Sequence, residues 1–267
     1  MVTGNKQMRQ HRLFVGLCKD WFYSVVLKPR LWRYFSQIKA HKPKKVIYTC
    51  IVNGYDCLNL NVCLNPDYDY VCFTDSEAYL RRKIVGPWQI RPLTYTNLDT
   101  TRNSRYHKVH PHVLFPEYEQ SIYIDANIVF KDNKIFDAAE QMSRQDDVFM
   151  AIPPHRRRDC AYDELEECLR IGKDKPEVLL RHKEFLEKEG FPRHMGLTEN
   201  GIVFYKHNDK RCIKVMKDWW YMLENYSRRD QLSLQYVLWK NGFSMPYLLD
   251  VPVKSDKTSF RILHHNR

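Results

Sequence analysis

The chain has 267 residues, of which 43% are hydrophobic and 13% aromatic. That is enough for the core of one large α/β domain or two small ones, and too apolar for a disordered protein. The net charge is +11, but eleven of the 43 Lys and Arg residues fall within residues 1–45 against one acid, Asp20; the remaining 222 residues carry only +1. So near-neutral a domain argues against nucleic acid as a partner, because tracking phosphates needs a basic face on the fold.

No apolar run reaches the ~20 residues of a membrane span. Residues 13–18 and 21–27 are too short for one and lack a small-residue cleavage site, so no signal peptide is expected. The cysteines (Cys18, Cys50, Cys57, Cys63, Cys72, Cys160, Cys168 and Cys212) contain no Cys-X-X-Cys pair. They read as reduced core thiols of a cytosolic protein, rather than as a zinc site or a disulfide framework.

Residues 1–44 read as a basic amphipathic arm and 45–267 as the domain. In the arm, Phe14, Leu17, Trp21 and Val25 have helical spacing, and Pro29 divides it into two short helices or one kinked helix. Apolar residues on one side and cations on the other fit an anionic membrane surface, each cation there adding about 1 kcal/mol. Packing on the domain or a dimer contact is the alternative. Residues 45–52 form the first strand, and Asn53-Gly-Tyr-Asp56 follows. Open α/β sheets bind ligands at the carboxyl ends of their strands. Asn53 and Asp56 stand there, although a plain Asn-Gly turn explains them too. Residues 70–75 form a second strand ending in Asp75, which could bond a base or ribose or, with Ser76, cap the next helix. Residues 88–93 form a third. Residues 99–115 read as a helix with Arg102, Arg105 and Lys108 at three-residue spacing, so that neighbouring cations share a face. Such a stripe suits a diphosphate; a solvated face is the alternative.

Residues 121–124 read as a short buried strand, with Asp125-Ala-Asn127 directly after it. On an extended segment Asp125 and Asn127 share a face, and Ala126 lets a ligand close in. Capping of the next element is the bland alternative. A helix is expected at 134–143, a strand at 148–152 and a polar loop at 153–159. A helix bearing Tyr162, Glu164 and Glu167 comes next, then another at 176–189. The Gly-rich loop 190–201 ends in Glu199 and Asn200 and is a candidate binding loop. A strand at 202–205 and a Trp- and Tyr-rich helix at 208–226 follow. In a helix at 227–239, Ser227 with Asp230 fits a capping-box variant, or else Asp230 and Gln231 touch a sugar or activate an acceptor. Residues 243–248 read as a final strand. In the tail, His264 or His265 either frays or folds back to a metal or diphosphate.

The Asp125-Ala-Asn127 tip is similar to the Asp-X-Asp signature of nucleotide-sugar glycosyltransferases, with Asn for the last Asp. Further segments, in order, resemble one family: 48–56, Cys72-Phe-Thr-Asp75, the Arg102/Arg105/Lys108 helix, Phe115-Pro-Glu-Tyr-Glu119, 123–128, 155–168, 196–200 and Arg229-Asp-Gln231. It is the glycosyltransferase-like domain family of plant mucilage and cell-wall proteins and bacterial polysaccharide clusters. The likeness covers roughly residues 45–250 and leaves the arm outside.

The resemblance implies a GT-A glycosyltransferase fold, a single Rossmann-like mixed sheet flanked by helices. It further implies transfer of a hexosyl or pentosyl group from a nucleotide-sugar donor, most simply a UDP-sugar, to a polysaccharide or lipid-linked glycan acceptor. On this reading Thr49, Asn53 and Asp75 line the nucleoside pocket, and Arg102, Arg105 and Lys108 face phosphate. Asp125 holds a divalent Mn or Mg ion or else the ribose, and Asn127 helps; because an amide is a poorer ligand than a carboxylate, the metal is bound weakly or is absent, or else it recruits a histidine such as His264. Asp230, Glu199 and Asp159, in that order, are the candidate base or sugar contacts. Plant members carry a membrane anchor and none is expected in this sequence, so a cytoplasmic enzyme peripheral on the inner face of a bacterial plasma membrane is expected. A non-catalytic glycan- or membrane-binding protein on the same fold and a metal-assisted hydrolase are the rival expectations.

Overall fold

The computed structural model describes residues 28–40, 43–59 and 63–266. The expected helix around Phe14 to Val25 lies outside them. The first described helix, α1 (Lys28–Ala40), takes Pro29 in its first turn, where the missing N–H has no helical partner to lose. Leu31 and Tyr34, three residues apart, are buried, and the Tyr34 hydroxyl donates to the Tyr68 carbonyl (2.9 Å). Helix α1 is thereby packed on the sheet. Trp32, on another side of it, is 75% exposed.

Strands β1 (Lys45–Ile51) and β2 (Tyr68–Thr74) come next, then α2 (Glu77–Arg82), the two-residue β3 (Ile84–Val85) and β4 (Trp88–Pro92). Helix α3 (Thr100–Val109) is capped by Asp99, whose carboxylate accepts from the Thr101 and Arg102 amides. The helix expected over 99–115 breaks at His110, because Pro111 has no N–H to continue it and opens the short α4 (Pro111–Leu114). Then follow β5 (Gln120–Ile124), β6 (Ile128–Phe130), α5 (Lys134–Ser143), β7 (Met150–Ala151), α6 (Ala161–Arg170), α7 (Pro176–Lys188), β8 (Ile202–Tyr205) and α8 (Lys210–Asn225). A 3₁₀ turn (Asp230–Leu232), α9 (Leu234–Lys240) and β9 (Phe260–Ile262) complete the chain.

One mixed α/β sheet of seven strands, ordered β3-β4-β2-β1-β5-β8-β7, organises the molecule. Strands β4, β2, β1 and β5 are parallel; β3, β8 and β7 each pair antiparallel to their neighbour. The parallel strands are covered on both faces, so β1 reads as a nearly unbroken apolar run. Alternate residues serve two cores. Val46, Tyr48 and Tyr123 face α8 and α9 on one side, and Ile47, Ile122 and Phe204 face α5 on the other. No described helix is long and apolar enough to cross a membrane.

Several expected elements differ. Residues 243–248 form no strand; only Tyr247 makes an isolated bridge, to Ile152. The last strand is instead β9, which pairs with β6 in a separate ribbon. Helix 227–239 is split into the 3₁₀ turn and α9, and no capping box forms there. The Ser227 hydroxyl donates to Asp174 (2.8 Å), and Asp230 turns inward to a lysine.

Candidate active site at the end of the central strand

Every residue of β5 is buried, and its chain leaves the sheet at Asp125. There the Asp125 amide donates to the Gly201 carbonyl (2.8 Å) and the Ile128 amide to the Asp125 carbonyl (3.0 Å). Residues 125–128 are therefore a tight turn rather than the extended segment expected. Asp125 and Asn127 still line one cavity of about 510 Å³. The Tyr123 hydroxyl donates to Asp125 Oδ1 (3.0 Å). Asp125 Oδ2 faces Gly201, where a Cβ would lie 3.2 Å from it. The missing side chain thus keeps space open beside the free carboxylate oxygen.

The tail returns to this tip. The Leu263 amide donates to the Asn127 carbonyl (2.8 Å), and Asn127 Nδ2 donates to the Leu263 carbonyl (3.1 Å). His265, not His264, reaches the cavity. Its Nδ1 is 2.8 Å from Asp56 Oδ1, its Nε2 is 3.5 Å from Asn127 Nδ2, and its ring lies on Tyr55. Burial lifts the Asp56 carboxyl above its usual range, and the bond to His265 offsets only part of that rise. A histidine with one nitrogen held by a carboxylate and the other turned to a cavity is the arrangement metal-binding histidines adopt.

Behind the tip sits a charge cluster built by α3. Lys108, with 1% of its side chain exposed, donates to Asp230 Oδ2 (2.5 Å) and lies over the Tyr123 ring at 4.8 Å. Arg105 Nε is 3.3 Å from the same oxygen but off hydrogen-bond geometry, so the attraction there is between charges only. Burial by itself would raise the Asp230 carboxyl. Arg105, Lys108 and Arg229 overcome it and hold the group far below the usual carboxylate range. Asp230 is therefore a counter-ion that fixes two cations, and a carboxylate so held is a poor proton acceptor. This weighs against the base half of its expected role as base or sugar contact. Glu199 is buried in the cavity wall and accepts only a long bond from the Lys254 amide (3.4 Å). On the rim, Arg158 donates to Glu164 (2.6 Å) beside His155, whose pKa is lowered chiefly by burial.

The structure brings together six of the expected residues: Arg105, Lys108, Asp125, Asn127, Glu199 and Asp230 all line this cavity. It keeps six others out. Thr49 is fully buried within β1 and its hydroxyl has no hydrogen-bond partner among the described residues. Asn53 and Gly54 have φ of 54° and 60°, and the Tyr55 amide closes their turn on the Val52 carbonyl. Asp75 receives the Asn53 amide on both oxygens, so it braces that turn. Arg102 points away from Arg105 and donates to the Leu223 and Tyr226 carbonyls, holding the C-terminus of α8. Asp159 is exposed and pairs with His194 (2.9 Å). His264 is exposed, outside the lining. As a site residue Asp56 had a legible signal, its place at the end of β1, and His265 was one of two tail histidines. Arg156, Arg157 and Arg229 stood in segments that carry the family resemblance but were given no role of their own. Outside the cavity, Cys160, Asp163 and His194 place ligand atoms within 4.8 Å of one another. There Asp163 is bonded to Arg193 and His194 to Asp159.

Known structures are similar only in broad outline. The apo bifunctional glycosyltransferase WbbM aligns over 78% of this chain with 14% identity and a TM-score of 0.46, and this chain covers 39% of it. Mouse xyloside xylosyltransferase 1 aligns over 78% of this chain and 85% of its own, with 11% identity and a TM-score of 0.40. The glycosyltransferase GlyE of Streptococcus pneumoniae TIGR4 aligns over 77% and 44%, with 9% identity and a TM-score of 0.40. No curated protein sequence matches this chain. The TOD1/MUCI70 glycosyltransferase-like domain matches residues 38–257, which include β1 to α9 and every cavity residue named above except His265. The chain therefore belongs to the TOD1/MUCI70 glycosyltransferase-like domain family.

Proposed function

We propose that this protein transfers a hexosyl or pentosyl group from a nucleotide sugar, most simply a UDP-sugar, to a glycan or lipid-linked acceptor. The observation carrying this reading is the convergence of Asp125, Asn127 and the Asp56–His265 pair on one cavity at the end of the central strand. In such a transfer an acceptor hydroxyl attacks the anomeric carbon, and the bond to the diphosphate breaks with its electron pair. The hydroxyl proton passes to a base, for which Glu199 is now the first candidate.

The free Asp125 Oδ2 beside Gly201 and the His265 nitrogen suit a divalent cation such as Mn²⁺ or Mg²⁺. Asp125, Asn127 and His265 would hold it, and it would neutralise charge on the departing diphosphate. Arg105 and Lys108, fixed by Asp230, would add a preorganised positive field that needs no rearrangement during the reaction. A donor screen read by nucleotide release tests the reading. Asp125→Ala should abolish release while thermal melting stays close to wild type; retained turnover would remove Asp125 from the mechanism.

A peripheral place on an anionic bilayer at the cytoplasmic face is part of the proposal. Exposed Trp32, Phe35 and Arg33 on α1 support it, together with the cations of residues 1–27. Flotation with phosphatidylglycerol vesicles should be lost on deleting residues 1–27 and replacing Trp32 and Phe35 by Ser. Undiminished flotation would refute it.

A further inference from the structure

The cavity holds more positive charge than its own carboxylates balance, and the surplus lies on one side. At the strand tip, Lys108 and Arg105 share Asp230, and His265 is matched by Asp56. On the rim, Glu164 is taken by Arg158 and Glu167 by Arg170. Lys254 lines the cavity too, beside Glu199. With Arg156, Arg157, Lys173 and Arg229 that makes five lining cations with no carboxylate within ion-pair distance among the described residues, against two lining carboxylates, Asp125 and Glu199, likewise without a cation. The last four cations are set apart from the rest. These four stand on the loops after β7 and α6 and just before the 3₁₀ turn. Asp125, Asn127, Asp56 and His265 stand on the β1–β5 side.

The cationic loops are braced. The His155 amide donates to the Leu197 carbonyl (2.9 Å), and His155 Nδ1 accepts from the Arg157 and Arg158 amides (3.4 and 3.0 Å). The Lys173 amide donates to the Cys168 carbonyl (2.9 Å) at the end of α6. Arg229 Nη2 is held by Gln231 (3.1 Å), while its Nε is buried with no hydrogen-bond acceptor among the described residues. Asn200 Nδ2, also in the cavity wall, is buried and unpartnered too. Buried donors almost always have a partner. Arg105 Nε, the third unpartnered donor of the cavity, still has the Asp230 charge beside it, so Arg229 Nε and Asn200 Nδ2 mark where an acceptor-rich ligand would sit.

We propose that this side is a second anion subsite, in which Arg156, Arg157, Lys173 and Arg229 hold a phosphomonoester carried by the acceptor. The word acceptor rests on the glycosyl-transfer reading above. A phosphomonoester fits better than a carboxylate. It carries about −1.5 to −2 charge and three acceptor oxygens, against a single charge for a carboxylate, and guanidinium forks match its geometry.

The test uses UDP with Mn²⁺ as donor probe and inorganic phosphate and glucose 1-phosphate as acceptor probes, by calorimetry on the full chain. Phosphate should bind protein already saturated with UDP·Mn²⁺. Arg156→Ala/Arg157→Ala, at two exposed positions, should weaken that binding roughly tenfold and leave UDP affinity unchanged. Three results would overturn the subsite: no phosphate binding beside UDP, equal binding by the double variant, or an equal loss of UDP affinity. The last would give these cations to the donor. If UDP fails to bind while phosphate still binds and the double variant loses it, the subsite stands and the nucleotide-sugar reading falls. Vesicles carrying phosphatidic acid, compared with soluble glucose 1-phosphate, tell a lipid phosphate from a sugar phosphate.

Discussion

Replacing Asp230 with Asn keeps the shape of the side chain and removes its charge. Lys108, with 1% of its side chain exposed, and Arg105, with 16%, then share no carboxylate. Arginine stays charged in proteins, so Lys108 is the group that must give way, and burial already pulls its pKa down. Removing one partner of a buried ion pair costs about 3–5 kcal/mol. In a domain of this size each kcal/mol moves Tm by about 2–4 °C, so Tm should fall by roughly 6–20 °C. The pH dependence has a definite sign. In the variant the folded Lys108 has a pKa further below its unfolded value of about 10.4, so the unfolded chain binds the extra proton. The deficit is therefore present at pH 7 and narrows as pH is raised toward ~10. Adding Lys108→Met should recover much of the loss, since the Tyr48 and Tyr205 hydroxyls bond only the Lys108 backbone carbonyl. Urea unfolding followed by circular dichroism measures the wild type and both variants. A loss under about 1 kcal/mol, or no recovery in the double variant, would refute the account of the cluster.

Three further outcomes follow from the geometry. Gly201→Ala places a Cβ 2.9 Å from Ile128 Cδ1 and 3.2 Å from Asp125 Oδ2. The isoleucine end can shift, so calorimetry should find metal-supported UDP binding reduced in a folded protein. His265→Ala should weaken Mn²⁺ binding while His264→Ala leaves it unchanged; equal effects would remove the tail from the metal site. Burial lowers the His107 pKa to about 4 and that of His182 to about 3. Both groups therefore contribute stability that is present above the unfolded value near 6.5 and lost as pH falls toward 4 and 3. Tm should drop as pH falls from 7 to 4.5. His182→Leu should flatten the drop, because neither His182 nitrogen has a partner to lose.

The sequence by itself carried the α/β class, the central strands and the tip of β5. Parallel strands buried on both faces must be apolar throughout, and that pattern is local. It likewise carried Arg105, Lys108, Asp125, Asn127 and Glu199 as cavity residues, because they stand at element ends or on a charged helical face. Short elements made by distant pairing were not legible. Strand β9 is three residues long and exists because β6 lies beside it, and β3 exists only as the return leg of β4. Three-residue spacing could not show that Arg102 turns to the end of α8 while Arg105 turns to the cavity. Nor could any local signal show that Asp230 would be the counter-ion of two buried cations. That role depends on Lys108, 122 residues earlier, lying within bonding distance in a place where water cannot screen the pair. Tertiary structure alone decided it, as it decided which tail histidine meets Asp56, because the energy of a buried charge is set by neighbours that the chain brings together only on folding.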